Sequence, residues 1–95
     1  MTLPKILVPH DVVEVDGQTF DIRALTRGEA ARFQKMVADG VSLADLEIAV
    51  LAAGTDTPKD EAQAWYEATP AHAVEVVITA IKDLSRLDEG AQKSG

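Results

Sequence analysis

Residues 69–87, TPAHAVEVVITAIKDLSRL, decide the fold of this 95-residue chain. Thr69 can cap the free backbone N–H groups that open a helix, and Pro70 suits the first helical position, where no N–H is needed. Apolar residues recur at helical spacing around more than half of the circumference. They are Val74, Val77, Ile78, Ile81 and Leu84, flanked by Ala73, Val76, Ala80 and Leu87. The pattern predicts a central helix over residues 70–87, packed on two sides.

Residues 12–22 have the pattern of a β-hairpin. Two runs that alternate apolar and polar residues flank Asp16-Gly17, a pair suited to the positive φ angles of a type I′ turn. A two-residue turn pairs Val15 with Gln18 and brings the apolar residues to one face. That face consists of Val13, Val15, Phe20 and Ile22.

Three helices are predicted between the hairpin and the last helix, over residues 27–38, 43–53 and 58–68. Thr26 and Glu29 have capping-box spacing at the start of the first, and Gly40 ends it. Its packing face is predicted to be Ala30, Phe33, Met36 and Val37.

The second helix is predicted to begin after Ser42 as its cap and to stop at Gly54. It is apolar nearly all round, which is typical of a helix in the middle of a core or in an interface. The third begins near Pro58, followed by acidic residues that suit the positive end of a helix dipole.

The fold class predicted is mainly α with a small β component, an N-terminal β-hairpin followed by a compact four-helix domain. Residues 1–11 form an extended arm, residues 12–87 a single globular domain, and residues 88–95 a flexible polar tail. A chain of this length has room for one modest core and not for a deep enclosed active site.

The charge and composition exclude several classes of function. A formal net charge of −7 repels phosphate backbones, so nucleic acid is not expected as a partner. The apolar runs are too short for a membrane span or a signal peptide, so a soluble cytoplasmic protein is expected. There is no cysteine, which rules out disulfides and thiolate metal sites.

The sequence carries no catalytic, metal-binding or cofactor-binding motif. His10 and His72 are far apart in sequence, without partners at metal-ligand spacing. Ser42 is accounted for as a cap, and neither it nor Ser85 has the setting of a nucleophile. Ser85 could bond back to the Ile81 carbonyl or reach across an interface. We therefore expect no enzyme activity and no cofactor.

The apolar surface exceeds what a chain of this length can easily bury, which favours self-association or a helical client. Trp65 and Tyr66 have two possible roles, as core residues or as anchors for a partner. The candidate partner-binding residues are Leu46, Val50, Trp65, Tyr66 and Leu87.

Over residues 13–87 the chain resembles the tail assembly chaperones of long-tailed bacteriophages and prophages. The resemblance consists of the hairpin VEVDGQTFDIR, the helix entry ALTRGEAARF, the link TPKDEAQAWYEATP and the closing segment IKDLSRL. These motifs are structural and include no catalytic signature.

The resemblance implies a small protein of the bacterial host cytoplasm that coats the long, helical, aggregation-prone tape measure protein. It also implies a role in recruiting tail tube subunits and absence from the mature virion. In many such phages a ribosomal frameshift adds a second domain to some copies. The alternatives are a small structural tail-completion or connector subunit, and a small acidic adaptor protein.

Overall fold

The computed structural model describes residues 3–4 and 6–85. A two-stranded antiparallel hairpin precedes four helices, which is the predicted fold class. The elements are β1 (His10–Val15), β2 (Gln18–Arg23), α1 (Arg27–Ala38), α2 (Leu43–Thr55), α3 (Lys59–Ala68) and α4 (Ala71–Ser85). Leu87 and the predicted tail over residues 88–95 lie outside the described residues.

The hairpin has the predicted register, with Val15 opposite Gln18. Asp16 and Gly17 have φ angles of 51° and 83°, the positive values that a type I′ turn requires. The strands extend further than predicted, since β1 begins at His10 and not at residue 12. Pairing continues even beyond the strand, because the Pro9 carbonyl accepts a hydrogen bond from Ala24 N at 2.8 Å. The arm therefore ends at Pro9.

Helix α4 is the centre of the core, as predicted. Val77 and Ile81 are fully buried, and Ile78 is nearly so. The helix contacts α2 and both strands, so it is packed on two sides. Val76 was predicted to flank the apolar face of this helix. It is 43% exposed, so the covered face is narrower than predicted.

The predicted signals at the ends of α1 and at the start of α2 are confirmed. The Thr26 hydroxyl accepts from Glu29 N at 3.1 Å, and the Glu29 carboxylate accepts from Thr26 N at 2.9 Å, which forms the capping box. Gly40, with a φ of 81°, follows the end of α1. The Ser42 hydroxyl accepts from Asp45 N at 3.2 Å. These caps satisfy backbone donors that would otherwise be unpaired.

The predicted stop of α2 at Gly54 is wrong. Gly54 lies inside the helix, buried against Ile81, and α2 continues to Thr55. Asp56 ends it in the left-handed conformation, with a φ of 54°. Asp tolerates this region better than most residues, so no glycine is needed as the stop.

The predicted cap of α4 by Thr69 is also wrong. The Thr69 hydroxyl donates to the Trp65 carbonyl at 2.5 Å and so closes the end of α3. The first backbone hydrogen bonds of α4 run instead to the Pro70 carbonyl, from Ala73 N and Val74 N. Thr69 therefore bonds to the last turn of α3 and does not cap the first turn of α4.

Helix α1 packs mainly against α2 and has few buried residues. Ala30 is its one fully buried residue, whereas Phe33 and Met36 are half-buried. Val37, predicted on the packing face, is 60% exposed. The loose cover of α1 leaves an open groove between this helix and α2.

Candidate interaction surface

A groove between α1 and α2 is lined mainly by apolar side chains, two of which are strongly exposed. We call it the α1–α2 groove; its volume is about 300 Å³. Its apolar lining is Ala30, Phe33, Val37, Leu43, Leu46, Val50 and Ile78. Polar groups are few, and they are Gln34, Glu47 and Lys82.

The rim of this groove is more exposed than its floor. Leu43 is 69% exposed and Val37 is 60% exposed, whereas Val50 and Ile78 on the floor are each 8% exposed. Leu46 is half-buried between them. Large apolar side chains left in water at the edge of a concave surface are characteristic of a protein interaction site.

The groove follows directly from how the sequence connects the two helices. Gly40 ends α1 and Ser42 caps α2, so only residues 39–42 separate them. So short a connection makes the two helices neighbours. Val37 in the last turn of α1 and Leu43 in the first turn of α2 therefore lie on either side of the turn.

The structure divides the predicted partner-binding residues between two regions. Leu46 and Val50 line the α1–α2 groove together, although Val50 is nearly buried. Trp65 and Tyr66 are both half-buried on α3 and are not among the residues that line it. Leu87 lies outside the described residues. Val37 and Leu43 were not predicted, because nothing in the sequence distinguishes an uncovered valine or leucine from a core one.

Trp65 packs against Phe20 of the hairpin. Their rings meet edge to face, with centroids 5.5 Å apart and planes at 73°. Such pairs add about 0.5–1.5 kcal/mol to the stabilisation from area burial. Trp65 also lines a second depression of about 320 Å³ with Phe20 and Leu51. Of the two roles considered for Trp65 from the sequence, these contacts support the role in the core.

Tyr66 joins α3 to α2 through a hydrogen bond. Its hydroxyl donates to a Glu47 carboxylate oxygen at 2.6 Å, and this bond raises the pKa of Tyr66. Glu47 also lines the α1–α2 groove, so the carboxylate of this lining is already hydrogen-bonded to Tyr66. The bond holds the carboxylate in place beside the apolar lining.

Arg23 connects three elements, and this role was not predicted from the sequence. Its guanidinium makes a two-pronged contact with Glu29, at 2.8 and 2.9 Å, and donates to Asp56 at 3.0 Å. It also donates to the Ala24 carbonyl. The hydrogen bonds from Arg23 lower the pKa of Glu29 to about 2, and Glu29 in turn raises the pKa of Arg23. The hairpin end, the α1 cap and the α2 cap are thereby held together.

His72 and Ser85 each have a structural partner. The His72 Nε2 lies 3.0 Å from an Asp16 carboxylate oxygen at the hairpin turn, and both side chains are well exposed. The Ser85 hydroxyl donates to the Ile81 carbonyl at 2.6 Å, which is one of the two roles predicted for Ser85. It also accepts from Leu25 N at 2.7 Å, which ties the end of α4 to the segment before α1.

Over residues 3–4 and 6–85, no group of three or more His, Cys, Asp or Glu side chains is arranged to hold a metal ion. Within the same residues, no helix has both the length and the apolar character needed to cross a membrane.

Comparison of the chain with protein-family models, with curated proteins and with solved structures finds no match.

Proposed function

We propose that this protein is a non-enzymatic tail assembly chaperone that binds and solubilises the tape measure protein of a long-tailed phage. The α1–α2 groove is the proposed binding surface, and an amphipathic helix of the tape measure protein is the proposed ligand. The observation that carries this proposal is the exposure of Leu43 and Val37 at the edge of an apolar groove. The resemblance of the hairpin and the helix entries to that family supplies the identity of the client.

The groove has the chemistry required to hold a helix by its apolar face. Helix-in-groove recognition places residues spaced three and four apart into an apolar trough between two helices. The twelve residues of α1 give a helix about 18 Å long, so a partner helix of about three turns can lie along it. Leu46 then contacts the centre of the partner helix, and Lys82 lies among the lining residues where it can meet an acidic group.

The net charge of −7 suits a solubilising role. A tape measure protein covered by many acidic copies has a negatively charged surface. Repulsion between such surfaces opposes aggregation. Recruitment of tail tube subunits, self-association into a homo-oligomer, location in the bacterial cytoplasm and absence from the mature virion complete the proposal. Mass spectrometry of purified virions separates it from a structural tail subunit, which would be retained.

Co-expression with the tape measure protein tests the proposed function. We expect the tape measure protein to be soluble with the wild-type protein and to precipitate with a Leu43→Asp, Leu46→Asp double variant. Val50 is unsuitable for this test, because it is 8% exposed and an aspartate there would disturb the core. A Val12→Asp variant is the matched control, since Val12 is a 56% exposed apolar residue on the outer face of the hairpin.

The proposal fails if the tape measure protein is equally soluble with no chaperone present. It also fails for this surface if the double variant is as effective as the wild type. Circular dichroism and a denaturation curve show whether the double variant is folded, so that a loss of effect is assigned to the groove and not to unfolding.

A further inference from the structure

Strand β1 is the open edge of the hairpin. Strand β2 is engaged by the helices, since Phe20 meets Trp65 of α3 and Arg23 donates to Asp56 at the end of α2. Strand β1 packs mainly against β2 and α4. Over residues 3–4 and 6–85, no third strand pairs with its outer edge. Such an edge presents unpaired backbone N–H and C=O groups to a further strand.

The backbone groups on this edge belong to His10, Val12 and Glu14. The Pro9 carbonyl bonds across the hairpin at 2.8 Å, so Pro9 faces β2, and residues of an antiparallel strand face its two sides in alternation. The Val12 N–H gives a second indication, because it bonds at 2.8 Å to the carboxylate of Asp11 on its own strand and not to β2. The outer edge is therefore available for pairing.

The side chains along this edge are complementary to themselves. In an antiparallel pair that places Val12 opposite Val12 of a second copy, His10 of each copy lies opposite Glu14 of the other. An imidazole has an N–H that can donate to a carboxylate in both its neutral and its charged form. Val12 is 56% exposed in the single chain, and the two valines cover each other. No like charges lie directly opposite each other in this register, which favours the pairing.

The neighbouring registers are less favourable. A shift of two residues in either direction keeps the backbone groups in line, but it places Glu14 opposite an apolar residue, Val8 or Val12. The shift that brings Val8 to Glu14 also places Asp11 opposite Asp11 of the second copy, where like charges repel. The sequence of β1 therefore specifies one register for pairing with itself.

We propose that β1 pairs antiparallel with β1 of a second copy about a twofold axis at Val12, which joins the two hairpins into one four-stranded sheet. This inference specifies the self-association included in the proposed function. The local bond from the Val12 N–H to Asp11 is replaced by a bond to the Val12 carbonyl of the second copy. No residue of the hairpin lines the α1–α2 groove, so the pairing leaves the proposed client surface free.

The helices leave room for this sheet. Helix α4 packs on both strands, and the midlines of two hairpins paired in this way are about 10 Å apart, which is an ordinary separation for packed helices. Val76 shares a face of α4 with His72, which meets Asp16 at the hairpin turn, whereas Ile78 on the other flank lines the groove. Val76 is 43% exposed, and the second α4 gives it a cover.

Single cysteines test the geometry, because the chain contains none. In the proposed dimer the two copies of residue 12 have Cβ atoms about 5.5 Å apart. The two copies of residue 19, on the outer face of β2, have Cα atoms about 20 Å apart. We expect a short bismaleimide to link Val12→Cys into dimers and to link Thr19→Cys much less. Equal linking of both variants, or no linking of Val12→Cys, overturns the proposal.

A charge exchange tests the register by analytical ultracentrifugation. We expect His10→Glu to raise the dissociation constant of the dimer about tenfold, because it sets two carboxylates against each other in two places. Adding Glu14→His to the same chain rebuilds each pair in reverse, and the dissociation constant should return to within about threefold of the wild-type value. An unchanged single variant, or a double variant as weak as the single one, overturns the proposal. A wild-type protein that is monomeric at the highest concentration studied also overturns it.

The Val12→Asp variant separates this proposal from client binding. We expect it to be monomeric, because it places two aspartates at the twofold axis, and to bind the tape measure segment as the wild type does. A monomeric wild type contradicts the strand pairing, whereas a dimer that binds no tape measure protein contradicts the proposed function, so the two failures are distinguishable.

Discussion

Gly54 of α2 lies directly against Ile81 of α4, and a Cβ atom at residue 54 would be only 2.8 Å from Ile81 Cγ1. Ile81 is fully buried. The absence of a side chain at residue 54 is therefore what allows the two central helices to approach this closely.

Gly54→Ala is expected to destabilise the protein even though alanine favours helix. Alanine gains about 1 kcal/mol of helix propensity, and the overlap with Ile81 offsets this gain, leaving a net loss of about 1–2 kcal/mol. Gly28→Ala is the matched control, because its Cβ would meet nothing closer than Thr26 Oγ1 at 3.9 Å. A urea midpoint for Gly54→Ala equal to or above that of the wild type would contradict this packing.

Ile81→Ala tests the central position of α4. Removing a fully buried isoleucine is expected to cost about 2–5 kcal/mol, through lost apolar burial and the cavity that remains. Val76→Ala on the same helix is the comparison, and it should cost less than about 1 kcal/mol because Val76 is 43% exposed. Chemical denaturation measures both, and equal losses would show that this face of α4 is not the core.

The Arg23–Glu29 pair predicts a specific acid sensitivity. The pKa of Glu29 is about 2 in the folded protein, below its ordinary value of 4.5, because Arg23 stabilises the charged form. A lowered folded pKa means that the stabilisation is complete above pH 4.5 and is lost as the pH falls towards 2. Glu29→Gln should remove about 1–3 kcal/mol at pH 7 and flatten the pH dependence over that interval. Denaturation curves from pH 7 to pH 2 measure this, and parallel profiles for the two proteins would contradict it.

Tyr66→Phe separates the hydrogen bond to Glu47 from the packing of the ring. We expect a loss of about 1 kcal/mol, since the aromatic ring remains and only the hydroxyl contact at 2.6 Å is removed. Spectroscopic titration of the wild-type tyrosine should show a pKa above the ordinary value, because the Glu47 carboxylate opposes loss of the phenol proton. Titration at or below that value would show that the bond is not formed. Tyr66 is the one tyrosine of the chain, so its signal is unambiguous.

The features that could be predicted from the sequence are those set by neighbouring residues. Asp16-Gly17 requires a particular turn, Thr26 and Glu29 cap each other three residues apart, and the periodicity of α4 identifies Val77 and Ile81 as core. In each case the feature is determined by residues that are close together in the sequence.

The features that were missed depend on contacts between distant residues. Gly54 was taken for a helix stop because its partner Ile81 is far away in sequence. Arg23 meets Asp56 from 33 residues away, a contact that no local pattern indicates. The candidate groove was only half predicted for the same reason. Leu46 was identified by its apolar helix, but the exposure of Leu43 depends on how little of α1 lies over α2.

Our central proposal is that the α1–α2 groove binds an amphipathic helix of the tape measure protein. Isothermal titration of the purified protein with a helical tape measure segment tests it most directly, for the wild type, Leu46→Asp and the control Val12→Asp. We predict that Leu46→Asp raises the dissociation constant about tenfold or more, that Val12→Asp does not, and that the wild-type value changes less than about threefold over a tenfold range of salt. Wild-type affinity in a folded Leu46→Asp variant, or a steep loss of binding with salt, would contradict the claim.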